Sequence, residues 1–500
     1  MSCESASKNA TAPSPAIRPG AESLNAHMIA RAIGDGTWHW PGGGPNIGID
    51  PRIAALVPGF DAPFFQAGLA GYSDAAMRII ARRHGCPFCV TEALLDRTLL
   101  AGGRGFDKAD LGELKDNIPG GVEDQPLACQ IMGSDPAEMA ASAIKAIEQK
   151  KRTDKAYRML ALGTPALGTP PLRGGHGGAA DVNSSSSHVQ HLRLPGGEQL
   201  GAYDPTEGLG DDVDCDWECS VEEVDEIETQ SATAHPNLSP QQVLSENTSS
   251  LHLSVSSSLA FQAIDVNLAC PVKKIERKSR GGHWLTDPRG AIRLLQAVRE
   301  AVPTSVPCTL KLRRSFDDTQ EMIDNFHTIF AAAYDMGYAW ATVHARTVEQ
   351  KYIGPSRWTF LKDLRAKHPD KIIFGSGDIW NVEDIFLMIG YAGMSGVSVA
   401  RGCIGNPWIF RQARELMQGK PPTSPTLAEQ RDVLGEHFRL ALACTRRFRQ
   451  PEQATAMMMR KFAIRFAMHH PEFDAVRKRF IAVKCLADWT AVLEEHYQKR

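Results

Sequence analysis

Nowhere in the 500-residue chain does an apolar run approach the roughly 20 residues that a helix needs to cross a bilayer. No membrane partner is expected. The N-terminus lacks a charged start followed by an apolar core, so no secretory signal is expected either. Neither sign of charge is in excess: 55 Lys and Arg face 58 Asp and Glu, for a net charge of −3. No global field marks a nucleic-acid binder, and any RNA contact must come from local patches. The 11 cysteines are odd in number and scattered, unlike a disulfide framework, which fits a reducing cytoplasm. Cys215 and Cys219 have no matching second pair, so no zinc site and no bound metal is expected. From Asp204 to Glu228 there is no Lys or Arg. Such a tract repels phosphate and is excluded as an RNA surface.

What is present is ample material for a core, at 43% apolar residues, in a length that suggests two or three units. Residues 1–60 are rich in Ser, Ala, Gly and Pro and read as a disordered extension. Between 61 and 150, short apolar strands at 62–67, 86–92 and 127–133 alternate with helical patterns, the first entered through Ser73 or Asp74 as N-cap. Residues 151–259 are dominated by Gly, Ser, Pro and acidic side chains. They bury too little apolar surface to offset ordering entropy, so a long disordered insertion is expected. From 260 to 418 the alternation resumes, with strands at 263–267, 308–312, 339–343, 372–374 and 397–400. Eight β/α units in sequence favour an α/β fold of the TIM (β/α)8 type over an open sheet. Thr426-Leu427-Ala428-Glu429 is a capping box that opens an all-helical C-terminal domain over 419–500.

A TIM barrel builds its site at the C-terminal ends of its strands. Polar residues interrupt this chain there: Gln130, then Asn267 and Cys270, then Lys311, His344 with Arg346, Ser376-Gly377-Asp378, and Arg401-Gly402. One such residue would mean little, but six strand ends in register point to a site. The Gly-rich turns after the last two strands suit a phosphate cradle, though such turns are common for other reasons. Lys311 also reads as a strand-end lysine reaching for water, and Gln130 as a capped strand end. Most isolated cysteines are small buried hydrophobes. Cys270, between a strand terminus and a basic loop carrying Lys273, Arg277 and Arg280, is placed instead at the surface of the site. Cys86-Pro87-Phe88-Cys89 has redox spacing but runs into a strand, so core packing is the better reading.

The segment Asp265-Val266-Asn267-Leu268-Ala269-Cys270-Pro271 resembles the active-site motif of the tRNA-dihydrouridine synthases, with the bacterial B-type branch nearest. The likeness extends through Gln130-Ile131-Met132-Gly133, Thr309-Leu310-Lys311-Leu312-Arg313, Val343-His344-Ala345-Arg346-Thr347, Gly377-Asp378-Ile379 and Arg401-Gly402. It covers about 63–150 and 260–497. The resemblance implies FMN-dependent reduction of specific tRNA uridines to 5,6-dihydrouridine, with NADPH as electron donor and Cys270 as proton donor. It implies an FMN site at Ala67, Gly68, Leu69, Gln130, Asn267, Lys311, His344, Ser376, Gly377, Asp378, Arg401 and Gly402. Asn267, Lys273, Arg277, Arg280, Arg460 and Lys461 would meet the tRNA, and the enzyme would act as a cytoplasmic monomer. The chain departs from the family in two turns: Ala67-Gly68-Leu69-Ala70-Gly71 replaces the usual Ala-Pro-Met-Ala-Gly, and Ser376 replaces an Asn. Two alternatives stay open: a degenerate tRNA-binding paralogue, and an FMN barrel oxidoreductase acting on a free pyrimidine.

Overall fold

The computed structural model describes residues 26–38, 48–100, 120–148, 261–271, 281–445 and 449–498. Nine parallel strands follow in order: β1 (Phe64–Gln66), β2 (Cys89–Val90), β3 (Leu94–Leu95), β4 (Leu127–Met132), β5 (Ala263–Leu268), β6 (Cys308–Arg313), β7 (Trp340–His344), β8 (Ile373–Ser376) and β9 (Gly396–Val399). β2 and β3 run one after the other beside β4, pairing Cys89 with Leu127 and Leu94 with Ile131, so together they fill one position. The ring closes because β1 pairs with both β2 and β9, matching Gln66 to Cys89 and Phe65 to Ser398. The result is the eight-position TIM barrel that the strand count predicts.

Period-two alternation sorts each strand between two cores. Outward-facing Cys129, Ile131, Ile264, Val266, Leu310 and Val343 belong to the apolar layer beneath the helices. Inward-facing Phe65, Phe88, Ala128, Ala263, Trp340 and Phe374 form a second cluster that fills the N-terminal end of the barrel. Phe60 seals it, with ring centroids 4.7 Å from Phe88 and 5.8 Å from Phe374.

The helices between strands start where the sequence supplies caps. α1 (Ala26–Gly34) and α2 (Pro51–Leu56) precede the barrel, and α3 (Ala75–Arg83), α4 (Asp96–Leu100) and α5 (Pro136–Glu148) lie in its first part. Asp74, rather than Ser73, caps α3 by accepting from the Met77 amide at 2.8 Å. α6 (Pro288–Ala301), α7 (Gln320–Asp335), α8 (Trp358–Lys367), α9 (Val382–Ala392) and α10 (Trp408–Met417) complete the barrel. α11 (Leu427–Cys444), opened by the Thr426/Glu429 capping box, begins the helical C-terminal part, which continues through α12 (Pro451–Phe466), α13 (Phe473–Ile481) and α14 (Leu486–His496). α11 packs against α3, and Arg83 on α3 is ion-paired with Glu436.

One expectation is corrected. Residues 1–60 are not uniformly a disordered extension: α1 buries Ile29 and Ile33 and packs on α10, while α2 buries Ile53 in the barrel plug. Average composition concealed the helix because its partners lie far along the chain. The insertion 151–259 lies outside the described residues.

Candidate active site

The inner face of the barrel changes chemistry halfway along its strands. Above the aromatic plug, register places Gln130 beside Asp265, Asp265 beside Thr309, Asn267 beside Lys311, and Lys311 beside Thr342. Gln130 Nε2 donates to Asp265 Oδ2 at 2.7 Å, and Thr309 Oγ1 donates to Asp265 Oδ1 at 2.6 Å. Asn267 Nδ2 donates to Gln130 Oε1 at 2.7 Å. Burial pushes the Asp265 carboxyl up, while Thr309, Gln130 and Lys311 pull it back down. Burial draws the Lys311 ammonium down, opposed by Asp265 and reinforced by Arg313. The Asp265 carboxyl and the Lys311 amine both face a narrow cavity of about 10 Å³ lined by Gly68, Gln130, Asp265, Thr309, Lys311 and Ser398 among others.

Cys270 follows directly from this layer. Its backbone is fixed on three sides: Ala269 N donates to Asn267 Oδ1 at 2.9 Å, Arg313 Nε to Ala269 O at 2.9 Å, and Gly282 N to Cys270 O at 2.8 Å. The Arg313 guanidinium also donates to the carbonyls of Thr347 and Lys351, tying the loops after β5 and β7 together. Cys270 is half-buried, whereas Cys86 and Cys89 are buried with their sulfurs 3.8 Å apart.

The ends of β7, β8 and β9 form a cationic rim. His344 is held well below its ordinary value by burial first, then by Arg313, Arg346, Lys311 and Arg401, so its imidazole is neutral at pH 7. Gly377 has φ +111°, and a Cβ there would lie 2.2 Å from Ser356 Oγ and 2.8 Å from the His344 ring. The buried Ser356 hydroxyl finds no partner among the described residues. A Cβ on Gly402 would strike the Ile379 carbonyl at 2.2 Å. Asp378, with φ +56°, faces inward to the protein: its carboxylate accepts from Arg346 Nη2 at 2.6 Å and from the Ser356 amide at 2.7 Å. Arg401 lies 4.6 Å from the Trp380 ring centroid and 5.1 Å from that of Tyr352.

The fold therefore gathers Ala67, Gly68, Gln130, Asn267, Cys270, Lys311, His344, Ser376, Gly377, Asp378, Arg401 and Gly402 on one end of the barrel, with Leu69 in the loop after β1. Gly68 sits so close to the second strand position that a Cβ would meet the Thr91 carbonyl at 2.3 Å and Gln130 Oε1 at 3.2 Å. Its replacement of the family's proline is built into the packing of this chain. Lys273, Arg277 and Arg280 lie outside the described residues. Lys461 is turned to the barrel, donating to the Gly71 carbonyl beside the Tyr72 ring, and Arg460 reaches the Ile481 carbonyl at 3.3 Å. Sequence reasoning quoted Asp265 and Thr309 only within motifs, without a role, and passed over Thr342 and Ser356, which leaves four residues of the site unassigned. The first three share the inward face with Asn267 and Lys311, two residues away along a strand or directly across from one, so period two was the signal for them. Nothing local pointed to Ser356.

A parallel barrel whose strand ends unite a pinned cysteine, buried amides, a lysine and a glycine-lined cationic rim has the architecture of a barrel-enzyme site. The dihydrouridine synthase (Dus) family model matches residues 226–499, and the chain belongs to that family. A probable tRNA-dihydrouridine synthase of Mycobacterium leprae (strain TN) is 34% identical over 187 residues, 36% of this chain and 47% of that protein. The tRNA-dihydrouridine synthase B of Shewanella oneidensis is 32% identical over 176 residues, 35% of this chain and 53% of that one. A probable tRNA-dihydrouridine synthase of Treponema pallidum (strain Nichols) is 28% identical over 238 residues, 46% and 68% respectively. The chain thus spans about half the length of the first two of these relatives.

Proposed function

We propose that the protein reduces specific uridines in tRNA to 5,6-dihydrouridine, using FMN with NADPH as electron source. The observation that carries this reading is the fixing of Cys270, through the Ala269 amide, to the same amide chain that lines the barrel cavity beside Lys311. The residues fit FMN. Gly377 and Gly402 let two strand-end turns pack closely on Ser356, His344 and the Ile379 carbonyl, the Ser356 hydroxyl is unsatisfied there, and Arg401 with the neighbouring cations supplies charge that would suit a phosphate. Ala67, Gly68 and Leu69 would flank the ring system, with Gln130 and Asn267 meeting its polar edge. Ser376 and Asp378 shape the turn. Bound there, the flavin supplies the hydride for one carbon of the uracil double bond.

The chain's own residues do the rest. Cys270 donates its thiol proton to the neighbouring carbon and is reprotonated from solvent; a thiol with an ordinary pKa of about 8.5 is largely protonated at neutral pH. Lys311 stabilises negative charge that develops beside it. Neutral His344 donates or accepts one hydrogen bond without adding a charge. Asn267 orients the base, and the tRNA reaches it as an extruded nucleotide held by basic side chains, a role we assign to Lys273, Arg277 and Arg280 among others. Arg460 and Lys461 contribute to that surface, Lys461 by joining α12 to the loop after β1. A free thiol at Cys270 and a tRNA substrate suit a cytoplasmic enzyme, which we take to act as a monomer.

The test is dihydrouridine mapped by position in unmodified tRNA incubated with the protein, FMN and NADPH. Dihydrouridine at one defined position is expected. Its absence despite tRNA binding would overturn the reading in favour of a binding paralogue, and reduction of free uracil in its place would favour the small-molecule oxidoreductase.

A further inference from the structure

The amide chain has a direction, and only Asp265 and the Ala269 amide can set it. A side-chain amide presents an acceptor at one end and a donor at the other. The Asp265 carboxyl accepts at both oxygens, one from Thr309 and one from Gln130, so the end of Gln130 that faces it is Nε2. Its Oε1 must then face Asn267, which meets it with Nδ2. That leaves Asn267 Oδ1 for the Ala269 N–H, the residue before Cys270. Asp265 has its second oxygen taken by the Thr309 hydroxyl, is 5% exposed, and cannot turn elsewhere. Were Gln130 reversed, Asn267 would have to turn its own donor end to the donor N–H of Ala269. The loop would then lose one of its three tethers, leaving those from Arg313 and the Gly282 amide.

We propose that Asp265 is a positioning residue for Cys270: as the terminal acceptor of a relay through Gln130 and Asn267, it holds the Ala269–Cys270 backbone in place. This goes beyond the roles assigned above and rests on the reading of Cys270 as the reacting thiol. The arrangement is held from both ends, acceptor-only at one and donor-only at the other, and each link between is 2.9 Å or shorter. Buried networks of this kind act as units, and one reversed member leaves two unsatisfied groups.

The experiment exploits that polarity. In Asn267→Asp the new carboxylate still accepts from Ala269 but faces Gln130 Oε1, and a reversed Gln130 would face Asp265 with oxygen. In Asp265→Asn/Asn267→Asp every link is satisfied again with Gln130 reversed: Asn at 265 donates to Gln130 Oε1, and Gln130 Nε2 donates to the carboxylate at 267. Asp265→Ala/Asn267→Asp removes the repulsion between carboxylates but supplies no donor. Asp265→Asn alone keeps the wild-type direction, because the Thr309 hydroxyl can accept instead of donate.

The readout is the rate of Cys270 alkylation by iodoacetamide across pH 6–9 in the full chain, followed by peptide mass spectrometry with half-buried Cys485 as internal reference. Loss of a buried link should raise the Cys270 rate relative to Cys485 about tenfold in Asn267→Asp and in the Ala double variant. The Asn double variant and Asp265→Asn should return to within about twofold of wild type, since coupled neighbours are non-additive. A purely structural fault would accelerate both cysteines. Wild-type behaviour in Asn267→Asp overturns the proposal, as does equal rescue by Ala and Asn at 265, or disruption by Asp265→Asn alone. If Asn267→Asp does not fold, a folded Asn double variant beside an unfolded Ala double variant supports the relay, and failure of both doubles overturns it. No flavin or tRNA is present, so absence of dihydrouridine synthesis would leave this result standing.

Discussion

The two ends of the barrel are made by the same strands and obey opposite rules. At the N-terminal end, inward positions carry Phe65, Phe88, Ala128, Ala263, Trp340 and Phe374, sealed by Phe60. At the C-terminal end, the next inward positions on most of those strands carry Ala67, Gln130, Asp265, Thr342 and Ser376. The first end is held by area and shape and uses no direction. The second is held by donors and acceptors, each of which has only a few allowed partners. On the inner face, apolar packing is therefore concentrated at one end and directed polar contacts at the other.

The comparison breaks most sharply under substitution. Cys270→Ala should lower dihydrouridine formation at least about 100-fold, because a positioned proton donor contributes on that scale. Its melting temperature should stay within a degree or two of wild type, as read by circular dichroism. Phe60→Ala should do the reverse. Removing a fully buried ring from the plug costs about 3–5 kcal/mol in chemical denaturation, while the folded fraction keeps its FMN affinity. A Phe60 variant that stayed stable would show that the plug is not where the stability lies.

Smaller effects sharpen the contrast. Gly68→Ala should cost about 1–3 kcal/mol by overpacking against the Thr91 carbonyl. Unlike a change in the plug it should also weaken FMN binding, measured by flavin fluorescence quenching, because Gln130 lies against the same position.

Acid should act on a third region, the contact between barrel and C-terminal helices. Burial brings His84 and His469 down to about 4 and His437 to about 3. Trp408 stacks edge-on with the first two, while His437 lies against Phe462. Folded-state values below the unfolded value of about 6.5 mean that the unfolded chain binds more protons. Stability should therefore be full above about pH 6.5 and fall as pH drops towards 4. His437→Leu should flatten part of that decline in a series of thermal melts.

Much of this was legible in the chain because it is local. Ala263 to Asn267 announces a strand and its end, Asp135-Pro136 opens a helix, and Thr426 with Glu429 closes a capping box. The α1 helix was not legible: nine residues are too few to be stable alone, and Ile29 and Ile33 are fixed only by packing on helices near residue 390–410. Lys461 illustrates the same limit for charge. It reads as one basic residue among several, yet a carbonyl 390 residues away occupies it.

By itself the sequence determined the order of the eight barrel positions, though not the short β3, and also which residues share the inner face and where polar groups begin. Those follow from a period of two, helix caps and turn residues, all of which act over a few positions. Only the tertiary structure decided how the polar groups are used. It set Asp378 to brace Arg346 rather than stand open, turned Lys461 to the barrel, and linked Asp265 through Gln130 and Asn267 to the backbone at Cys270. Hydrogen bonds depend on distance and direction between groups far apart in the chain, and no local pattern encodes either.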